Sequence, residues 1–149
     1  MSHVPTPLLQ SIAAGLLALS ACNLTPSPPE ITELRAWLSG AEIVPRVDST
    51  ASGTLVAGLN KHTNRLTWTL TYGGLTRPAV GAHFHGPASQ GHIGRQLRSI
   101  GDDLTSPVSG SMSLTSSQMA DLQAGQWYVS LQSEEHPEGE IRGQLTLRP

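Results

Sequence analysis

Strict alternation of apolar and polar residues between positions 65 and 73 constrains the fold of this chain more than any other feature. The apolar members are Leu66, Trp68, Leu70 and Tyr72, and the polar members between them are Thr67, Thr69 and Thr71. A period of two places all the apolar side chains on one face of an extended strand. Residues 60–64 have turn composition, and Leu55, Ala57 and Leu59 alternate ahead of that turn. The pattern therefore predicts a half-buried antiparallel hairpin.

Short segments of the same kind recur along the chain, separated by Gly, Pro, Asn and Asp. They lie at residues 33–39, 54–59, 66–72, 83–85, 93–100, 108–114, 127–131 and 141–147. One short helix is predicted after Thr115, because Gln118 follows three residues later in a capping-box pattern and Gly125 provides a C-terminal stop. We therefore predict an all-β fold, an antiparallel Greek-key sandwich or barrel of about eight strands with one short helix.

The N-terminal segment has the features of a secretion signal. An apolar run from Leu8 leads to Leu19-Ser20-Ala21-Cys22, and a Pro-rich stretch follows at residues 25–29. The run is too short to span a bilayer but suits a signal peptide. The four residues resemble the lipobox of bacterial lipoproteins, in which the cysteine is lipidated. We expect a signal peptide at 1–22, lipidation of Cys22 and an extended tether at 23–31.

One observation keeps an alternative open for this segment, and a second indicates where the protein is located. Residues 1–10 contain no Lys or Arg, whereas a signal peptide usually begins with basic residues, so a buried apolar helix with a chance cysteine is the alternative. If Cys22 is lipidated, the protein is extracytoplasmic and lipid-anchored to the bacterial cell envelope. Asn23 after the cysteine favours the outer membrane or cell surface over the inner membrane.

Composition restricts the class of the remaining domain, residues 32–149. The chain has 11 acidic and 9 basic side chains, a net charge of −2 and no basic stripe, so nucleic acid is excluded as a partner. With one cysteine in the whole chain, no disulfide can form within it, and stability must come from a hydrophobic core. Nucleophile-elbow and phosphate-loop motifs are absent. These features favour a non-enzymatic module over an enzyme.

His83 and His85 are the first candidate site. On an extended strand, residues two apart point to the same face with Cα atoms roughly 6.5–7 Å apart, close enough to bind one metal ion. Copper or zinc would need a third ligand, for which His92, His136, Glu140 and Gln132 are available. The alternative is structural, with the imidazoles hydrogen-bonded to neighbouring side chains or loop carbonyls.

A second candidate lies at residues 136–144, His-Pro-Glu-Gly-Glu-Ile-Arg-Gly-Gln. If a strand begins at Glu140, then Glu140, Arg142 and Gln144 share one face, where each charge reaches a cross-strand partner. Pro137 ends the preceding segment, and Gly139 and Gly143 permit a tight turn and close backbone approach. A structural charge pair or loop clamp is favoured over catalysis for Glu140 and Arg142.

Three segments together resemble the CHRD domain, the module repeated in chordin. They are residues 38–53 (Leu-Ser-Gly-Ala-Glu-Ile-Val-Pro through Ala-Ser-Gly), 74–88 (Gly-Leu through Ala-His-Phe-His-Gly-Pro-Ala) and 122–145 (Leu-Gln-Ala-Gly-Gln-Trp-Tyr-Val through His-Pro-Glu-Gly-Glu-Ile-Arg-Gly-Gln-Leu). The resemblance covers residues 33–147. The family's structural signature maps onto Gly86, Pro87, Pro137, Gly139, Arg142 and Gly143. In chordin the module belongs to an extracellular protein that sequesters bone morphogenetic proteins.

One position departs from the family pattern. The family strand commonly reads Tyr-Val-Asn-hydrophobic-His-Thr, whereas residues 128–133 here read Tyr-Val-Ser-Leu-Gln-Ser, with Gln132 in place of the histidine. If the family's histidines bind a metal, this chain has lost one ligand. The His-x-His strand is also similar to the copper-ligand strand of Cu/Zn superoxide dismutases.

The sequence favours a cell-envelope lipoprotein with a single CHRD domain, a binding or structural module whose partner is an unidentified protein or envelope ligand. The alternative is a copper- or zinc-binding protein that uses His83 and His85, with superoxide-dismutase-like chemistry. Candidate binding or metal residues are His83, His85, His136 and Glu140.

Overall fold

The computed structural model describes residues 27–148. Within this range the elements are β1 (Ile31–Ser39), β2 (Ser52–Asn60), β3 (Arg65–Gly73), β4 (Ala79–His85), β5 (Gln96–Ser99), β6 (Val108–Ser113), α1 (Ser116–Gln123), β7 (Tyr128–Ser133), β8 (Ile141–Gln144) and β9 (Thr146–Leu147). A 3₁₀ turn at Gly40–Glu42 follows β1. Pro28 and Pro29 are exposed and precede β1.

The strands form one curled antiparallel sheet that makes a half-barrel around the core. Their order is β5-β4-β7-β8-β1-β2-β3-β6, and β9 continues beside β1 after β8. The prediction of an all-β antiparallel fold with a short helix is confirmed. In the described residues the sheet has nine strands, because the chain is interrupted at Leu145 between β8 and β9.

The three long strands β1, β2 and β3 follow the predicted alternation. Their inward side chains, all at most 5% exposed, are Leu34, Ala36, Leu38, Leu55, Ala57, Leu59, Leu66, Trp68 and Leu70. Register is continuous along the hairpin from Ser52↔Gly73 to Asn60↔Arg65, which keeps each apolar row on the core side. Burial of these rows removes apolar surface from water and supplies the main stabilisation of the sheet.

Two strands differ from the alternation expected of them. Every residue of β7 is buried, because its outer face is covered as well as its core face. Leu147, in the alternating segment predicted at 141–147, is 45% exposed, and β9 pairs with β1 through only two residues. The predicted strand at 93–100 shortens to β5, and Ile93 is 72% exposed.

The helix is capped as predicted. The Thr115 hydroxyl accepts a hydrogen bond from Gln118 N, and the Gln118 side chain accepts one from Thr115 N. Gly125 follows at φ 72°, a conformation that glycine adopts without strain. Leu122 is the buried residue of this helix and joins the core.

Strands β5 and β6 are the two ends of the sheet path. Trp68 Nε1 on β3 donates to Ile100 O just after β5, at 3.1 Å. This hydrogen bond connects β3, the neighbour of the end strand β6, with the segment that follows the other end strand, β5. Among residues 27–148, no helix has the length and apolar character needed to cross a bilayer.

Candidate functional site

The outer face of β4, β7 and β8 carries the candidate residues His83, His85 and Arg142. Register pairs His83 with Ser130, His85 with Tyr128, and Ser130 with Arg142. Because side chains alternate, these residues point away from the core, while Phe84, Val129 and Ile141 point into it. Much of the face is nevertheless covered, since Tyr128, Ser130 and Arg142 are each at most 4% exposed, while His83 and His85 are half-buried.

A continuous series of hydrogen bonds, here called the polar ladder, connects His83, Gln132, Ser130, His85 and Gly94. His83 Nδ1 lies 3.0 Å from Gln132 Oε1, and Gln132 Nε2 donates to Ser130 Oγ at 2.7 Å. Ser130 Oγ lies 2.9 Å from His85 Nε2, and His85 Nδ1 lies 3.3 Å from the Gly94 carbonyl oxygen.

Chemistry fixes the direction of each bond in the polar ladder. The Gly94 carbonyl oxygen can only accept, so His85 Nδ1 carries a proton, and in the neutral imidazole His85 Nε2 then accepts from the Ser130 hydroxyl. Ser130 in turn accepts from Gln132, and the Gln132 oxygen accepts from His83 Nδ1. Both ring nitrogens of His85 are therefore engaged by groups of the protein itself.

The environment of His85 favours the neutral imidazole that this network requires. Burial lowers the pKa of His85, and the nearby charges of His83 and Arg142 lower it further, against the hydrogen bond to Gly94 that raises it. The ring also stacks on Tyr128, with centroids 4.8 Å apart and planes 5° from parallel. The neutral His85 ring is thus fixed by hydrogen bonds at both nitrogens and by stacking on one face.

Tyr128 is enclosed between two side chains. His85 covers one face of its ring, and the Arg142 guanidinium carbon lies 3.5 Å from the ring centroid. The hydroxyl bonds the backbone of Gly94, donating to its carbonyl oxygen and accepting from its amide N–H, both at 3.2 Å. These contacts attach the loop after β4 to the sheet.

Arg142 is a buried cation without a carboxylate partner in the described part of the chain. It is 3% exposed, and its hydrogen bond there is from Nη2 to Gln144 Oε1 at 3.4 Å. Gln144 is itself anchored, because its Nε2 donates to the Ala88 and Gly125 carbonyl oxygens at 2.8 and 2.7 Å. Burial lowers the pKa of Arg142, but an arginine stays protonated in proteins.

A cleft of about 180 Å³, here called the Arg142 cleft, opens above this face. Its base comprises Arg142, Tyr128, Ser130 and His85. Its apolar side is formed by Ile43, Val44 and Ile93, and the exposed Glu138 lies at its edge. The cleft therefore combines one buried positive charge, polar groups at the base and an apolar wall.

Glu140 lies outside the Arg142 cleft and outside β8, which begins at Ile141. The strand start proposed at Glu140 is therefore one residue early. Its carboxylate, fully buried, accepts from Ser49 Oγ at 2.7 Å, Thr76 N at 2.9 Å and Thr76 Oγ1 at 3.0 Å. The carboxylate thus ties two distant loops to the end of the sheet.

The electrostatics of Glu140 match this role. Burial by itself raises the pKa of the carboxyl, but hydrogen bonds from Ser133, Ser49 and Thr76 outweigh burial and hold the pKa of Glu140 below its usual value. The side chain is therefore ionised at neutral pH and accepts charge-assisted hydrogen bonds.

Of the proposed third ligands, Gln132 bonds His83, whereas the histidines His92 and His136 and the carboxylate of Glu140 do not join the pair. His92 is exposed, and its Nδ1 bonds Ser89 Oγ at 3.1 Å and Gln90 O at 3.2 Å. His136 is half-buried in the loop after β7, where its backbone bonds Ser133. The rings of His83 and His85 are 6.2 Å apart, and residues 27–148 contain no group of three His, Cys, Asp or Glu side chains able to hold a metal ion.

The remaining signature residues support the loops around the site. The Gly86–Pro87 peptide bond is cis, and a Cβ on Gly86 would lie 2.7 Å from Gln126 O. Gly139, at φ 133°, would place a Cβ 2.9 Å from Ile43 Cδ1. A Cβ on Gly143 would collide with the Trp37 carbonyl on β1. Pro137 is exposed in the same loop as Gly139.

Sequence reasoning missed Tyr128 and Ser130 as parts of this site. A signal was present, because Tyr128, Ser130 and Gln132 alternate with Val129 and Leu131. Burial of both faces could not be read from that alternation. Cys22, the signal peptide and the first part of the tether lie outside the described residues.

Comparison with protein families matches the model described as the CHRD domain to residues 34–145. The match spans β1 to Leu145 and includes the polar ladder and the Arg142 cleft. Comparisons with curated proteins and with solved structures give no match.

Proposed function

The chain belongs to the CHRD domain family, and from that premise we propose that it is a non-enzymatic binding module, lipid-anchored to the bacterial cell envelope through Cys22. The Arg142 cleft carries this proposal. Its base is a buried cation with unused N–H donors, and its wall is apolar. A concave site that combines an apolar wall with a few convergent polar groups is typical of ligand recognition.

The hydrogen bonding of His85 supports binding over catalysis. His85 is the imidazole at the base of the cleft, and both its nitrogens bond groups of the protein. A general acid or base must exchange a proton with the bound molecule at hydrogen-bond distance. His85 would have to break the polar ladder to do so, which favours a fixed binding surface.

The same network bears on the copper or zinc alternative. His83 and His85 share a face, which is the observation in favour of a metal. However, His85 Nε2 accepts from Ser130, and the polar ladder holds the protons on both Nδ1 atoms. A metal site needs free nitrogen lone pairs and at least a third ligand. We therefore prefer binding of an envelope component to metal chemistry.

The binding proposal is tested with two matched substitutions of exposed apolar residues. Ile93 lies on the wall of the cleft and is 72% exposed, whereas Val80 is 54% exposed and lies outside it. Immobilised wild-type domain and the Val80→Glu variant should retain the same component of a solubilised envelope extract, and Ile93→Glu should lose it. Retention by all three, or by none, would contradict binding through this cleft.

The anchoring proposal is tested separately with Cys22→Ser in the full chain. Lipidation requires the cysteine sulfur, so the serine variant should move from the membrane fraction to the soluble fraction of lysed cells. Radiolabelled palmitate should be incorporated into the wild type and not into the variant. Unchanged membrane association of Cys22→Ser would disprove the anchor and leave the binding proposal untouched.

A further inference from the structure

The charge balance of the Arg142 cleft identifies the chemistry of its ligand. In the described part of the chain, ion pairs connect Glu33 with Arg35 and Arg148, and Lys61 with Glu30. Arg142 takes part in none of them. A buried cation that is not paired with an anion is costly, so a negatively charged group entering the cleft would relieve that cost.

The charged groups around the cleft favour a ligand that carries a single negative charge. Arg142 is its positive group, since burial of His85 favours the neutral imidazole, whose Nε2 can accept from Ser130. The exposed carboxylate of Glu138 lies at the edge, the carboxylate of Glu42 is near enough to raise the pKa of Arg142, and both repel a second negative charge. A doubly charged phosphate would therefore fit less well than a monoanion.

The shape of the guanidinium favours a carboxylate among monoanions. Its planar fork matches the two oxygens of a carboxylate, and a charge-assisted pair of this kind is roughly twice as strong as a neutral hydrogen bond. The Tyr128 ring and Gln144 fix the guanidinium in place before the ligand arrives. A fixed donor loses less entropy on binding than a mobile one.

The apolar wall determines what accompanies the carboxylate. Val44 and Ile93 are 37% and 72% exposed, and Ile43 lies deeper at 9%. A ligand that covers them removes their apolar surface from water. A volume of about 180 Å³ suits a group of amino-acid size rather than a polymer.

We propose that the Arg142 cleft binds a carboxylate attached to an apolar group, with the carboxylate on the Arg142 guanidinium and the apolar group against Ile43, Val44 and Ile93. This inference rests on the proposed function, because it names the ligand class of the same cleft. Two sources share this chemistry, a free small carboxylate and the C-terminal carboxylate of a peptide chain.

The experiment is a titration of the isotope-labelled domain, residues 27–149, followed by NMR. The probes are N-acetyl-leucine, a peptide Ala-Ala-Leu acetylated at its N terminus, the C-terminal amides of both, and inorganic phosphate. The two carboxylates should shift resonances of Arg142, Tyr128 and Ser130, and the amides should bind at least tenfold more weakly. Tighter binding of N-acetyl-leucine would indicate that the natural ligand is a small free carboxylate. Tighter binding of the peptide would indicate that it is the C-terminal carboxylate of a chain.

Exposed residues supply variants that leave the fold intact. Glu138→Gln removes the repelling charge at the edge and should tighten carboxylate binding by about two- to fivefold. Glu134→Gln, an exposed change outside the cleft, should leave it unchanged. Arg142→Lys should weaken binding while retaining the charge. If Arg142→Lys fails to fold, the difference in carboxylate affinity between Glu138→Gln and Glu134→Gln decides whether the cleft recognises negative charge.

Three results would overturn the ligand class. Equal binding of carboxylates and amides would show that charge is not recognised, and tighter binding of phosphate would assign a different anion. If no probe binds while the wild-type domain still retains an envelope component that Ile93→Glu loses, the ligand class is wrong and the binding function stands.

Discussion

The rings of His85 and Tyr128 lie face to face, 4.8 Å apart and 5° from parallel, with Arg142 on the opposite face of the tyrosine. This stack connects three adjacent strands, because the residues belong to β4, β7 and β8. It also fixes the guanidinium at the base of the cleft. The histidine therefore contributes to the site by holding its neighbours, and the cation is the group left facing the cleft.

The polar ladder should make a measurable contribution to stability through Ser130. Its buried hydroxyl accepts from Gln132 and donates to His85, so Ser130→Ala leaves two polar groups without a partner. We expect a loss of about 1–3 kcal/mol in the free energy of unfolding, measured by urea denaturation. Ser109→Ala is the control, because the Ser109 hydroxyl bonds Thr69 on an exposed face. Ser109→Ala should lower the free energy of unfolding by less than about 0.5 kcal/mol. Equal losses in the two variants would show that the polar ladder contributes no more to stability than an exposed hydrogen bond.

Glu140 should stabilise the domain in a pH-dependent way. Its pKa is depressed in the folded state, so its contribution is present above the unfolded value of 4.5 and is lost as the pH falls through the folded pKa. Glu140→Gln weakens three charge-assisted hydrogen bonds and should cost about 1–2 kcal/mol at pH 7. The difference between wild type and Glu140→Gln should narrow as the pH is lowered below 4.5.

Urea denaturation midpoints between pH 3 and pH 7 measure this effect. Glu134→Gln, a substitution at an exposed position, provides the control and should follow the wild type across the range. A difference that stays constant with pH would contradict the depressed pKa of Glu140.

Gly143 should not tolerate a side chain. A Cβ there would collide with the Trp37 carbonyl of the neighbouring strand, and backbone cannot move aside as a flexible side chain can. Gly143→Ala should therefore destabilise the domain by about 1–3 kcal/mol, as overpacking of interiors does. At Gly73 a Cβ would meet nothing within 4 Å, so Gly73→Ala is the matched control and should be near neutral. Thermal unfolding of both variants compares them, and similar midpoints would refute the steric explanation.

Metal binding should depend on position 132. Wild-type domain, in which Gln132 bonds His83, should purify without stoichiometric copper or zinc and should not acquire either on titration. Gln132→His places a third imidazole beside His83 and His85 and should create a site for copper or zinc. Thr71→His, on β3 away from these strands, should not.

Elemental analysis and copper titration measure the metal content, with His83→Ala/His85→Ala as a further control. Stoichiometric metal in the wild type that the double variant loses would reverse our preference and support the metal alternative.

The sequence predicted the parts of this fold that depend on local periodicity. The alternation in β1, β2 and β3 and the capping box of α1 depend on neighbouring residues, and all were confirmed. The strands around the site were harder to predict because β7 is covered on both faces. Alternation of apolar and polar residues cannot reveal which loops fold over the polar side.

The site itself depends on contacts between residues that are distant along the chain. Glu140 bonds Ser49 and Thr76, which lie 91 and 64 residues before it, and no spacing rule predicts those partners. Gln132 was recognised as a departure from the family pattern, but its bond to His83 required the register of β4 against β7. The placement of Arg142 against Tyr128 likewise required the pairing of β7 with β8.

The position of β1 has a mechanical consequence. The chain enters the sheet at Ile31 on a central strand, paired along its whole length with β2 and flanked on its other side by β8 and β9. Tension applied through the residues before Ile31 pulls β1 along its axis and loads its backbone hydrogen bonds in shear, so that they must rupture together rather than one after another. A domain held by this end would therefore withstand pulling forces that are large enough to peel off a strand at the edge of a sheet, where the hydrogen bonds break one at a time.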